Sequence, residues 1–362
     1  MAEASVRTGL EPTRRGAVSI ITLDRPEALN AVTRSMIAQL TSHYPRMARD
    51  PGTYAVIVQS SSPKAFSVGG DIRELIGLQR SDPAAARASL AAEYGFDWLH
   101  ECFSKPTVSL IDGLVMGSGF GLSQYGTHKI AGEGYAFAMP ETAIGFFPDC
   151  GACHAFARMP AHIGMYLALT GRRIGRADAF RLGLATHCIP RESFEAIRAG
   201  LADADCVDPL LDALHVDPGA GDLAAIEDVI DRCFSTDGVP AILERLTGER
   251  GRHEAFAQET LAALRQRSPT ALAVTHRYVR LARALDLRAA LATDYRVACR
   301  LVSAPDFAEG VRAMVVDQDR APRWQPASLA EVSDAASEAA FAPMPGEELD
   351  LPTRDQMQAA RV

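Results

Sequence analysis

The sequence predicts an α/β protein followed by a helical C-terminal region, and three observations carry that prediction. Short apolar runs recur through the first 190 residues, among them 17–23 (AVSIITL), 54–59 (YAVIVQ) and 107–111 (TVSLI). Segments of helical period separate them, so strands and helices alternate. Beyond Pro190 the pattern is almost wholly helical.

Taken in order, residues 17–23 read as a buried strand closed by the turn Asp24-Arg25-Pro26. Asn30 or Thr33 caps a helix from Arg34 towards Asp50, which Pro45 is expected to kink or stop. Residues 54–59 form the next strand. In AFSVGGDIRELI, residues 65–68 are extended, Gly69 and Gly70 turn, and a helix starts near Asp71. Asp82 caps an Ala-rich helix from Pro83 to about Phe103. The strand at 107–111 leads through Asp112-Gly113 into LVMGSGFGLS, where a helix begins among the glycines. Short strands flank Gly132-Glu133-Gly134, and another falls at 185–189. Further on, residues 217–221 (DPGAG) read as a linker, and Ser268-Pro269-Thr270 opens a helix reaching towards Arg280. Helices follow to about Val316, and the last thirty residues are expected to be loosely ordered. The resulting division is a catalytic core at 15–200, a helical region at 201–330 and a tail at 331–362.

The 362 residues, 48% of them apolar, are ample for a large core, and the net charge of −8 argues against a nucleic-acid surface. No apolar run approaches the ~20 residues that a membrane helix needs. The N-terminus lacks the apolar stretch of a secretory signal, and Glu3 and Glu11 weaken a transit-peptide reading. The seven cysteines read as reduced thiols, and a cytoplasmic location is expected.

Chemistry concentrates at 139–151 (MPETAIGFFPDCG), where Glu141 and Asp149 stand eight positions apart in an apolar, irregular segment. Buried there, they suit acid–base or nucleophilic work; otherwise they are a helix cap and a turn residue. Two glycine segments, Val68-Gly69-Gly70-Asp71 and Gly117-Ser118-Gly119-Phe120-Gly121, adjoin helix N-termini. Their free N–H groups could form an oxyanion hole if they converge; the alternative is two tight turns.

Three motifs fail. A nucleophile elbow at Ser118 would need glycine where Met116 and Phe120 stand, and a dinucleotide fingerprint would need one at Gln124. Cys150-Gly151-Ala152-Cys153-His154 spells a haem-attachment motif without the expected export signal, and, lying within the carboxylate stretch, it reads as a chance match rather than as a CxxC redox pair, the alternative. The nine histidines show no metal-ligand spacing, so no metal site is expected.

Together, LDRPEALNAVT, AFSVGGDI, KPTVSLIDGLVMGSGFGLS, FAMPETAIGFFPDCG and LALTGRRI resemble the crotonase (enoyl-CoA hydratase/isomerase) superfamily in order and spacing. IDRCFS, SPTAL and DFAEGVRAMVVDQDRAPRW extend the resemblance towards its 3-hydroxyisobutyryl-CoA hydrolase branch. The resemblance covers about residues 18–332. It implies a crotonase-like spiral of ββα units and an acyl-CoA small-molecule substrate, with coenzyme A part of that substrate and no separate cofactor. It also implies Val68 and Ser118 as oxyanion N–H donors, Glu141 and Asp149 as catalytic carboxylates, and Glu93 with Ser118 at the substrate. Arg25, Ala28, Leu29, Gly69, Gly70, Asp71 and Ile72 would lie along CoA. Neither a nucleic-acid nor a membrane partner is expected. Members often trimerise, so a homo-oligomer is one option, and the longer helical part covering that surface is the other.

Hydratases of this superfamily use two glutamates flanking one water. One matches Glu141, but the other falls at Gly121, and Asp149 stands where hydratases generally have glycine. A hydrolase in valine catabolism is therefore expected, with hydration or isomerisation as the alternative and non-catalytic acyl-CoA binding as a third reading. Ser118 replaces the usual glycine of the superfamily, and Ala152 and Cys153 interrupt a usual glycine run.

Overall fold

In the computed structural model, which describes residues 10–362, the chain winds as a spiral whose strands, from the third to the eighth, enter two sheets alternately. The strands are Leu10–Arg15 (β1), Val18–Leu23 (β2), Ala55–Ser60 (β3), Ala65–Ser67 (β4), Thr107–Ile111 (β5), Leu114–Met116 (β6), His128–Ala131 (β7), Ala136–Ala138 (β8), Ile174–Gly175 (β9) and His187–Cys188 (β10). The larger sheet has the order β1-β2-β3-β5-β7-β10, and the smaller β4-β6-β8-β9. Strands β2, β3, β5, β7 and β10 run parallel, whereas β1 and β9 pair antiparallel at edges. Helices return the chain between turns: Arg34–Arg49 (α1) precedes β3, Ile72–Ser81 (α2) and Pro83–Glu101 (α3) precede β5, and Ser118–Gln124 (α4) precedes β7. This is the expected α/β spiral with a helical C-terminal extension.

Parallel strands covered on both faces need continuous apolar sequence, and the alternation of side chains assigns each residue to one face. Val18, Ile20, Ala55, Ile57, Val108 and Leu110 pack outward against helices Phe194–Ala202 and Val207–Leu214. Ile21, Leu23, Val56, Val58 and Ile111 face the main core. That core also takes in Leu272, Val274, Tyr278, Leu291, Val297 and Phe307, so the C-terminal helices share it with the sheets.

Capping residues behave as their chemistry demands. Thr33, Asp71, Asp82 and Ser268 each accept a backbone N–H from the first turn of the helix that follows. Pro45 does not stop α1, which continues to Arg49. Thr41, the residue whose carbonyl loses its N–H partner to Pro45, is exposed to water, while Tyr44 stays buried. Strand β1 escaped sequence reading because LEPTRR is a polar edge strand with five exposed residues. The tail is a correction to the expected loose order. It forms short helices at Asp334–Ala339 and Arg354–Ala359, and Leu351, Met357 and Val362 are buried in the main core.

Asn30 fastens the loop after β2 to the body. It is fully buried in a left-handed conformation (φ 56°), which Asn tolerates better than most residues. Its Oδ1 accepts the Arg25 N–H at 2.8 Å, and its Nδ2 donates to Ser60 Oγ at 2.7 Å and to the Phe66 carbonyl at 3.0 Å. With each bond contributing about 1 kcal/mol, Asn30→Ala should lower the unfolding free energy by about 3 kcal/mol in urea denaturation. A loss below about 1 kcal/mol would show that the loop is held by other contacts.

Candidate active site

The C-terminal ends of β4 and β6, the start of α4 and the segment after β8 meet at one cavity of ≈ 220 Å³. Its wall includes Val68, Gly69, Gly70, Asp71 and Ile72 from the first glycine segment, and Met116, Gly117 and Ser118 from the second. Glu93, Glu141 and Asp149 complete its polar side, while Leu75, Leu90, Ile144, Phe146 and Val315 are apolar.

The two glycine segments do converge, though not through the expected pair of amides. Val68 N–H donates to the Leu29 carbonyl at 3.2 Å, so it is already engaged, and its assignment as an oxyanion donor is corrected. Val32 pairs with Gly70 in an isolated parallel bridge, whose bonds run from Val32 N–H to the Gly69 carbonyl and from Asp71 N–H to the Val32 carbonyl. Those bonds bypass the Gly70 amide. Ser118 opens α4, where the first amides have no partner within the helix. A methyl group built on Gly117 would stand 3.9 Å from Gly70 N, and one on Gly70 would stand 3.1 Å from Ser118 Oγ. Gly70 and Ser118 therefore supply the neighbouring free amides. The positive φ of the turn (48°) falls on Gly117, not Ser118, so a side chain at 118 leaves the backbone unstrained.

Glu141 follows Pro140 in the short helix Glu141–Ile144, which Gly145 ends in the left-handed region. It is buried, its Oε2 has no hydrogen-bond partner among the described residues, and its Oε1 lies 3.3 Å from a methyl built on Gly117. Burial pushes its pKa up to about 8. Asp149, also buried, accepts the Tyr94 hydroxyl at Oδ2 at 2.8 Å. Burial, reinforced by the charges of Glu93, Glu141 and Asp294, holds its carboxyl well above the usual range. Glu93 lies within hydrogen-bonding reach of Ser118 and accepts from Cys150 Sγ at 3.5 Å; burial raises its pKa.

Helix α3 supplies more than the one residue expected of it. Glu93 and Asp97 are four apart on one face, with Tyr94 beside them. Asp97 is buried, its Oδ2 has no hydrogen-bond partner among the described residues, and burial drives its pKa well above normal. It sits against Gly121: a Cβ there would be 2.1 Å from Asp97 Oδ1. The space that a glutamate at 121 would enter is thus taken by Asp97. Sequence reading missed Tyr94 and Asp97 as site residues, and expected Gly70 along CoA rather than as an amide donor. The i, i+4 spacing of Glu93 and Asp97 inside an Ala-rich helix was the available signal.

Of the residues expected along CoA, Gly69, Gly70, Asp71 and Ile72 line the cavity. Arg25, Ala28 and Leu29 are not in its wall but join it through Arg25, which ion-pairs with Asp71 at 3.2 Å, and through the Leu29 carbonyl. Cys150 and Cys153 are fully buried under Asp149.

The model of the family described as enoyl-CoA hydratase/isomerase matches residues 18–341. The chain is 36% identical to the rat 3-hydroxyisobutyryl-CoA hydrolase, mitochondrial, over 89% of its own length and 85% of that protein. It is 34% identical to 3-hydroxyisobutyryl-CoA hydrolase 1 of Arabidopsis thaliana, over 95% and 94%. Among solved structures it resembles a carnitinyl-CoA dehydratase from Mycobacterium thermoresistibile (TM-score 0.89, 34% identity, 94% of this chain and 98% of that one). It also resembles an enoyl-CoA hydratase from Rhodobacter sphaeroides (TM-score 0.88, 35% identity, 95% and 100%). The expected cytoplasmic location is overturned by relatives from rat, Xenopus tropicalis and human that carry the word mitochondrial in their names. Free thiols fit any reducing compartment and could not separate the two. Glu3, part of the transit-peptide argument, lies outside the described residues.

Two outcomes follow from this geometry. Gly121→Ala should destabilise by about 1–3 kcal/mol, and Asp97→Ala should recover much of the loss in the double variant; strictly additive losses in denaturant titrations would rule out the clash. Glu141, whose folded-state pKa lies above its unfolded value, favours folding fully below pH 4.5, and that contribution is lost as pH rises towards about 8. Glu141→Gln should therefore be as stable as the parent or more so at pH 8, by thermal melting.

Proposed function

We propose, for a chain that belongs to the enoyl-CoA hydratase/isomerase (crotonase) family, that it hydrolyses a short 3-hydroxyacyl-CoA thioester. 3-Hydroxyisobutyryl-CoA is the proposed substrate, and release of its free hydroxy acid in valine breakdown the proposed role. The observation that carries this reading is Asp97 packed against Gly121. Hydration by a glutamate pair needs a second carboxylate reaching the cavity from position 121, where glycine stands, and the carboxylate packed against it, Asp97, is not in the cavity wall. The names of the two hydrolase relatives agree with it.

In the proposed mechanism the thioester oxygen accepts hydrogen bonds from the Gly70 and Ser118 amides. Each such donor typically contributes about 3–4 kcal/mol to the transition state. Glu141, beside Gly117, either attacks the carbonyl carbon to form a mixed anhydride or takes a proton from an attacking water. Both routes require its carboxylate. The C–S bond breaks as the tetrahedral intermediate collapses, and the thiolate takes a proton from Asp149, which burial and neighbouring charges favour in its protonated form. Tyr94 orients Asp149 from the far side. On the mixed-anhydride route, water then cleaves the anhydride, restoring Glu141 and returning a proton to Asp149; on the water route the proton taken by Glu141 passes back to Asp149. The names of the two solved relatives favour a second reading, hydration or double-bond isomerisation with Glu141 or Asp149 as base.

Thiol release from 3-hydroxyisobutyryl-CoA, followed beside the absorbance change of an enoyl-CoA, separates the two readings. Release should dominate, with kcat rising as pH increases towards about 8, because Glu141 must ionise. Glu141→Gln and Asp149→Asn should each lose at least about a hundredfold in kcat. Near-normal thiol release by either variant would remove that residue from the mechanism.

A further inference from the structure

Asp294 stands on helix Leu287–Leu301, more than 140 positions beyond the carboxylates of the cavity, and no solvent reaches it. It takes no part in the mechanism above. Its Oδ2 accepts the Gly151 N–H at 2.6 Å, and its Oδ1 is bonded to the Tyr278 hydroxyl. The group it holds is the second of two consecutive left-handed residues, Cys150 (φ 52°) and Gly151 (φ 73°), directly after Asp149. A non-glycine residue in that region is costly and persists only when its surroundings enforce it. Here two tyrosines and one carboxylate do so. Tyr125 donates its hydroxyl to the Cys150 carbonyl at 2.5 Å and stands where a side chain on residue 151 would go, 2.0 Å from its Cβ. Tyr278 anchors Asp294 from helix Pro269–Ala282.

We propose that Asp294 is a positioning residue for the reaction: through the Gly151 amide it fixes the turn that aims Asp149 at Tyr94 and the cavity. The proposal rests on the reading of Asp149 as part of the catalytic machinery. A carboxylate is better suited than a neutral acceptor because a charged acceptor makes the shorter, stronger bond to a backbone amide. Its charge also reaches the site. Asp149, Asp97 and Tyr94 from the cavity side, Cys150 and Cys153 from the turn, and Tyr125 and Tyr278 beside it all feel it. On Asp149 the effect is to hold the proton on. Asp294 itself titrates at about 7, raised by burial and opposed by the Tyr278 and Gly151 bonds.

Asp294→Ala and Asp294→Asn, with the parent, form the test, run on whichever acyl-CoA reaction the parent performs, thiol release or double-bond change. A parent that changes only the double bond therefore overturns the hydrolase reading without removing the comparison. Asp294→Ala should lose about a hundredfold in kcat with KM within threefold, since a displacement of about 1 Å costs that much. Asp294→Asn, whose amide oxygen can still accept from Gly151, should recover most of kcat. Its pH limb belonging to Asp149 should move to lower pH, because the charge that retained the proton is gone. A crystal structure of Asp294→Ala should show the 149–151 turn displaced and the Tyr94–Asp149 bond broken. An unmoved turn in that structure, an unchanged kcat, or equal losses in both variants that follow only the fraction folded would each overturn the proposal.

Discussion

Burial of several carboxyl groups in one apolar region is the constraint on which this molecule depends. Glu93, Asp97, Glu141, Asp149 and Asp294 all have pKa values raised by desolvation, and a carboxylate stripped of water must find donors or keep its proton. Tyr94, Tyr278, the Gly151 amide and the Cys150 thiol supply some of those donors. Asp97 Oδ2 and Glu141 Oε2 are left without one among the described residues. A fold that only had to be stable would not retain such a pair, because each unsatisfied buried group costs about 1–3 kcal/mol. Of the two, Glu141 lines the cavity.

The spiral makes this cluster reachable without exposing it. From β3 to β8 each turn of chain places one strand in the large sheet and one in the small, so the ends of β4 and β6 come side by side with their glycines adjoining. The helix between those turns, α3, then lies beside the cavity, with Glu93 in its wall, Tyr94 bonded to Asp149 and Asp97 behind, against Gly121. Positive φ at Gly69, Gly117 and Gly145 lets the backbone pass within side-chain distance of itself at three corners of the site.

Much of this was legible in the chain. Strand periodicity, the caps at Asp71, Asp82 and Ser268, and the carboxylates of 139–151 are local signals, and local signals survive in a sequence. What escaped is non-local. The engagement of the Val68 amide depends on the Leu29 carbonyl, thirty-nine positions away. The pairing of Asp97 with Gly121 requires α3 and α4 to be packed, and Asp294 reaches Gly151 only because the C-terminal helices fold back. Tail residues Leu351, Met357 and Val362 escaped for another reason: isolated apolar residues in a polar, Pro-rich segment carry no periodicity to read.

The contact between 139–151 and the late helices has a consequence for the order in which the protein matures. Gly145 lies so close to Asp306, and Gly310 to Ile144, that a Cβ on either would come within 2.5 Å of the opposing backbone. Phe146 packs on Phe307, and the Ser268 N–H donates to the Thr142 carbonyl. These contacts do not exist until residues 268–310 have been synthesised. On the ribosome, therefore, the sheets can form early, while Glu141 and Asp149 remain unplaced until most of the chain has emerged. The segment that carries these two carboxylates thus reaches its packed position only after the late helices are available to it.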